Sequence, residues 1–122
     1  MTTTPEGRVS AALRQSVINA GGEIRKVQWQ GRVGAPDWLV MMRGRAVFIE
    51  TKAPGEMPRK SQLIEFSRIE RASGIPVLVI EQPQDCVSFV RAFATETARY
   101  IRVACDVYTF RRYNSALFDN GV

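Results

Sequence analysis

Residues 37–52 read Asp-Trp-Leu-Val-Met-Met-Arg-Gly-Arg-Ala-Val-Phe-Ile-Glu-Thr-Lys. Two apolar segments, Asp37 to Met42 and Ala46 to Thr51, flank the polar link Arg43-Gly44-Arg45, and this layout predicts a β-hairpin. A hairpin sets the start of one strand against the end of the next. Asp37 and Glu50 occupy those two ends. Side chains alternate along a strand, so Glu50 and Lys52 project to the same side while Val47 and Phe48 are given to packing. Two carboxylates and an ammonium are thereby expected at one rim of a sheet.

The flanking sequence supplies the rest of an α/β domain. Residues 5–20 predict a helix, with Pro5 in the first turn, Thr4 as its cap and Val9, Leu13 and Val17 at four-residue steps, with Ala12, Ser16 and Ala20 on the same side. Gly21-Gly22 ends it. Ile24 to Trp29 alternates as a strand, and Gly31 to Pro36 is a loop. After a Pro/Gly loop over 53–58, Arg59 to Ser73 is a helix with Leu63, Phe66, Ile69 and Ala72 on one side, stopped by Gly74. Pro76 to Ile80 is wholly apolar, as suits a strand buried on both faces. Pro83 to about Thr97 is a further helix, with Val87, Val90 and Ala94 expected inward. Beyond Ala98 the pattern weakens to a strand within Tyr100 to Phe110 and a short helix over Arg111 to Phe118. The order αβββαβα predicts a central mixed sheet with helices on its faces.

Composition narrows the chemistry. At 122 residues with 45% hydrophobic content, the chain has the size and apolar content of one domain with one core. It contains no histidine, which excludes Ser-His and Cys-His nucleophile pairs and most zinc sites. Cys86 and Cys105 lack any metal-ligand or redox spacing and are read as reduced thiols. No apolar run is long enough to span a membrane, and the N-terminus lacks the layout of a secretory signal, so a cytoplasmic protein is expected. The net charge of +5 favours a polyanionic partner, although a basic surface kept for solubility gives the same excess. The cations are spread as Arg25-Lys26, Arg32, Arg43, Arg45, Arg59-Lys60 and Arg111-Arg112, which fits a folded phosphate-tracking surface better than a basic tail.

Two neighbouring carboxylates repel, and burial raises their pKa. A hard divalent cation relieves that repulsion, and Mg²⁺ suits oxygen ligation. Such an ion polarises a phosphoryl oxygen and acidifies a bound water, while Lys52 can orient that water, help deprotonate it or stabilise charge on the phosphate. Phosphodiester hydrolysis is the reaction these roles describe. The plainer alternative is a charged hairpin with Glu50 and Lys52 as a solvated pair.

The chain resembles the PD-(D/E)XK nuclease superfamily and, within it, the virus-type replication-repair nuclease domain (VRR-NUC), in particular small stand-alone members carried by phages. The resemblance runs from Glu6 to about Ile80. It rests on Gly21-Gly22, Arg25-Lys26-Val27-x-Trp29, Gly31-Arg32-x-Gly34-Ala35-Pro36-Asp37, Phe48-Ile49-Glu50-Thr51-Lys52-Ala53-Pro54-Gly55 and Gln62. It implies a restriction-endonuclease-like core and dependence on Mg²⁺ or Mn²⁺. It also implies metal ligation by Asp37, Glu50 and the Thr51 carbonyl, with Lys52 as the catalytic lysine. Glu6 matches an acidic residue that helps hold the metal or its waters, and is equally a first-turn acid favoured by the helix dipole. Gln62 matches a glutamine of the catalytic set, against the reading of an ordinary exposed helix residue.

Arg25, Lys26, Arg32, Arg59 and Lys60 are candidate DNA-backbone contacts, with solvated surface as the alternative. Trp29 and Trp38 read as packing residues. The resemblance favours an endodeoxyribonuclease acting on branched or Holliday-junction-like DNA in DNA repair, working as a homodimer. A phage-encoded member would act in the host cytoplasm. The rivals are a non-catalytic DNA-binding or protein-interaction module on the same fold. The expected organisation is a nuclease core over 1–97 and an extension over 98–122. The aromatics Tyr100, Tyr108, Phe110, Tyr113 and Phe118 of that extension suit either packing on the core or a dimer interface.

Overall fold

A computed structural model describes residues 4–95. Helix α1 (Pro5–Asn19) begins where Thr4 Oγ1 accepts the Gly7 N–H at 3.0 Å and Pro5 takes the first turn. Strands β1 (Glu23–Lys26), β2 (Trp38–Met42) and β3 (Arg45–Thr51) follow, then α2 (Lys60–Ser73), β4 (Val77–Ile80) and α3 (Pro83–Thr95). The four strands lie in sequence order. β1 and β3 flank β2 antiparallel, and β4 joins β3 in parallel, so α2 serves as the crossover that a parallel pair requires. The predicted mixed sheet and element order are both present.

The sheet is buried on two sides. Val9, Leu13 and Val17 of α1, and Cys86, Phe89, Val90 and Phe93 of α3, pack with Trp38, Val40, Val47, Ile49, Leu78 and Ile80. On the opposite face, Phe66 of α2 packs with Val77 and Val79, joined by Phe48, Leu63 and Ile69. The period-two alternation of β3 and β4 thus feeds both layers, and every residue of β4 is buried. The result is a three-layer α/β/α domain of the restriction-endonuclease-like kind.

Four local expectations change. The hairpin link is two residues, because Arg45 already pairs with Met42. Arg43 and Gly44 both have positive φ, 52° and 77°, the conformation that lets a two-residue turn follow the twist of its strands. β1 stops at Lys26; the Val27 N–H donates to the Asp37 carbonyl at 2.8 Å, after which Trp29 leaves the ladder and packs edge-on against Phe48. Val87 points outward, 52% exposed, since Cys86, Phe89, Val90 and Phe93 set the phase of α3 and two phenylalanines bury more area than one valine. Ala72 is also exposed, while Gln62 and Glu65 are buried on α2. The Ala94 side chain, Cys105 and the strand and helix expected beyond Ala98 lie outside the described residues.

Candidate active site

The hairpin register pairs Trp38 with Ile49, so Asp37 falls opposite Glu50 at the open end. The two acids are held differently. Asp37 Oδ2 accepts from the Thr51 backbone N–H at 3.0 Å and from Thr51 Oγ1 at 2.9 Å. Thr51 Oγ1 also meets Ser10 Oγ of α1 at 2.9 Å and the Trp38 indole Nε1 at 3.4 Å. Having donated its one proton to Asp37, the Thr51 hydroxyl accepts from these two. The other oxygen, Asp37 Oδ1, lies 3.8 Å from Lys26 Nζ.

Glu50 points to the α2 side of the sheet, as does Lys52 two residues on. Lys52 Nζ is 3.1 Å from Glu50 Oε2, and Gln62 Nε2 donates to the same oxygen at 2.8 Å. Gln62 is itself oriented, since its Oε1 accepts the Arg59 N–H at 2.7 Å where α2 begins. The Lys52 backbone is fixed by its N–H donating to the Ile80 carbonyl at 3.0 Å, which continues the β3–β4 ladder beyond the strand. Asp37, Glu50, Thr51, Lys52 and Gln62, all singled out from sequence, come together at this rim.

Burial is the dominant electrostatic fact. Glu50 is 2% exposed, and loss of hydration together with the Asp37 charge raises its carboxyl to about 7, against the opposing pull of Lys52 and Gln62. Glu50 Oε1 is buried and has no hydrogen-bond partner among the described residues. A buried, unsatisfied oxygen is costly. Beside a second carboxylate it is a donor atom suited to a hard cation. Among the described residues no three acidic, cysteine or histidine side chains gather around one point, so the carboxylate part of the site is the Asp37–Glu50 pair. Glu6 sits half-buried in the first turn of α1.

No family model matches the chain. It is 39% identical over 88 residues to "Putative nuclease p44" of Acyrthosiphon pisum secondary endosymbiont phage 1, covering 71% of this chain and 92% of that protein. It also superposes on a solved structure described as a VRR_NUC domain, with a TM-score of 0.67 and 33% identity, covering 75% of this chain and 99% of that one. The chain belongs to the VRR-NUC family.

The basic residues of this VRR-NUC domain occupy varied settings. Lys26 faces Asp37, and Arg25 is engaged by Glu23 at 2.7 Å. The Arg32 Nε–H donates to Glu65 Oε1 at 3.0 Å, tying the loop before Asp37 to α2. Arg59 and Lys60 are exposed where α2 begins. Trp38 is buried and Trp29 packs on Phe48, in line with packing roles. Ser10 and Arg14 escaped the sequence reading, as did the part played by the Thr51 hydroxyl. A serine and an arginine on an exposed-looking turn of α1 carry no local signal, because their partners lie on strands far along the chain. Among the described residues, no helix of the domain is long and apolar enough to cross a membrane.

Proposed function

We propose that this VRR-NUC chain is a Mg²⁺- or Mn²⁺-dependent endodeoxyribonuclease of the PD-(D/E)XK type, selective for branched DNA and acting as a homodimer. The observation that carries this reading is the Asp37–Glu50 pair: a carboxylate raised to about 7 with one buried oxygen unpartnered among the described residues. The donor set fits a hard cation. Asp37, Glu50 and the Thr51 carbonyl would hold it, with Glu6 serving its water shell. When bound, such an ion supplies a Lewis acid for a phosphoryl oxygen and lowers the pKa of water.

The protein's own groups do the positioning. Thr51 holds one Asp37 oxygen from backbone and side chain together, which fixes the carboxylate plane. Gln62 and Lys52 hold Glu50 Oε2 and leave Oε1 available. The Lys52 side chain is 14% exposed, so its ammonium would meet a substrate phosphate while largely shielded from water. In hydrolysis the water oxygen bonds to phosphorus as one P–O ester bond breaks, and a proton ends on the departing alkoxide. Lys52 either orients and helps deprotonate that water or stabilises the charge that builds on the phosphate.

The test compares wild type with Lys52→Ala on duplex, flap and four-way-junction DNA, with Mg²⁺, Mn²⁺ or chelator. Divalent-dependent cutting is expected, strongest on the junction. The variant is expected to lose at least ~10²-fold in rate while retaining most of its binding. Equal cutting by both proteins would refute the mechanism. Binding without cutting by the wild type would leave a non-catalytic module on this fold.

A further inference from the structure

We propose that the cleft between the C-terminal half of α1 and strand β1 seats the sugar–phosphate backbone flanking the cut, with a phosphate held by Arg14 and Lys26 across the Trp38 ring. This rests on the nuclease reading and adds the direction in which the strand leaves the site. The cleft, about 490 Å³, is lined by Arg14 and Ile18 of α1, by Glu23, Arg25 and Lys26 of β1, and by Trp38.

Two cations from different elements converge on one ring: Arg14 Cζ lies 5.2 Å and Lys26 Nζ 4.8 Å from the Trp38 centroid. The face of an indole attracts each cation, while the cations repel one another. An anion lying against both removes that repulsion and gains charge-assisted hydrogen bonds. The side-chain charges of the cleft are Arg14, Arg25 and Lys26 against Glu23, a net +2. Arg25 is already engaged by Glu23. Arg14 is exposed and forms no ion pair among the described residues. Lys26 joins the cleft to the candidate active site, being 3.8 Å from Asp37 Oδ1. A backbone phosphate held by Lys26 in the cleft would therefore adjoin one held at Asp37, as successive phosphates of a single strand do. The open, basic form of the cleft suits a passing chain, and its contacts with phosphate carry no base preference.

The experiment measures anisotropy of a fluorescein-labelled DNA duplex of mixed sequence, in chelator so that nothing is cut, over a series of salt concentrations. Wild type is compared with Arg14→Ala, Arg14→Lys and Lys26→Ala. Arg14→Ala is expected to bind roughly tenfold more weakly at ~0.1 M salt and to lower the slope of log K against log salt by about 1, as loss of one phosphate contact does. Arg14→Lys restores the slope because the charge is kept. Lys26→Ala lowers the slope by a similar amount. A purely structural role for Arg14 would lower the melting temperature and leave the slope alone, and that result overturns the proposal. Inorganic phosphate that displaces the duplex at matched ionic strength also overturns it, because the cleft is then a discrete anion site. Failure of the cleft is separable from failure of the nuclease reading. If wild type cuts DNA with Mg²⁺ and the Arg14→Ala slope is unchanged, the cleft assignment alone falls. If wild type neither binds nor cuts DNA, both fall.

Discussion

Gln62 Nε2 donates to Glu50 Oε2 at 2.8 Å while Gln62 Oε1 accepts the N–H of Arg59 at 2.7 Å. One side chain therefore ties the first turn of α2 to the acid at the end of β3. Gln62→Ala removes both bonds, leaving the buried Glu50 Oε2 to Lys52 alone and the part-buried Arg59 N–H without this acceptor. We expect a loss of about 1–3 kcal/mol in urea unfolding and weaker Mn²⁺ uptake by calorimetry. A wild-type unfolding midpoint with wild-type Mn²⁺ affinity would show that Gln62 does neither job.

The ion-free protein has a pH dependence of definite sign. Glu50 has its carboxyl raised from 4.5 to about 7, so folding favours its protonated form. The stability it contributes is complete below about 4.5 and is lost as pH rises through about 7. In chelator, wild type should therefore lose melting temperature between pH 5 and 8 more steeply than Glu50→Gln, and the variant should be the more stable of the two at pH 8. Identical pH profiles for the two proteins would contradict the burial argument.

Gly34 has φ +92°, and a Cβ there would lie 2.8 Å from the Ser61 carbonyl oxygen and 3.0 Å from Glu65 Cβ. Backbone on α2 cannot yield as a flexible side chain would. Gly34→Ala is expected to cost at least ~2 kcal/mol, combining left-handed strain with the clash. Gly31→Ala, at φ +72° with nothing within 4 Å, should cost about 1 kcal/mol from backbone strain alone. Equal chemical-denaturation curves for the two variants would remove the close approach as a constraint on the loop that leads to Asp37.

Cys86 is buried, with its thiol pushed up to about 12, mainly by burial and then by the Asp85 charge. A thiol so far above neutrality supplies almost no thiolate. In a Cys105→Ser background, Ellman's reagent should leave the native protein unmodified and react fully once it is denatured. Fast labelling of the native protein would mean that α3 opens readily.

The hairpin and the convergence of Asp37, Glu50 and Lys52 were legible because they depend on neighbours in the chain and on strand alternation. The wholly apolar run at Val77–Ile80 was legible for the same reason. What escaped depends on tertiary placement. Thr51 meets Ser10 across 41 residues of sequence, and Arg14 meets Trp38 only because α1 crosses that end of the sheet. Gln62 was legible only through the family resemblance, because its burial depends on the position of α2 against β3 and leaves no local signal. The phase of α3 was misjudged at Val87 because an apolar-rich helix offers more than one apolar stripe, and the choice is made by the volume the sheet leaves open.

The Arg43-Gly44 turn stands at the far end of the hairpin from Asp37 and Glu50, separated from them by the full length of β2 and β3. Its geometry is set by two backbone dihedral pairs rather than by side-chain contacts with the acids. A fluorophore or a surface tether grafted beside this turn would report on, or immobilise, the domain at the hairpin tip away from the candidate site and from the proposed path of the nucleic acid. The hairpin thus gives the domain a handle at one tip and its candidate site at the other.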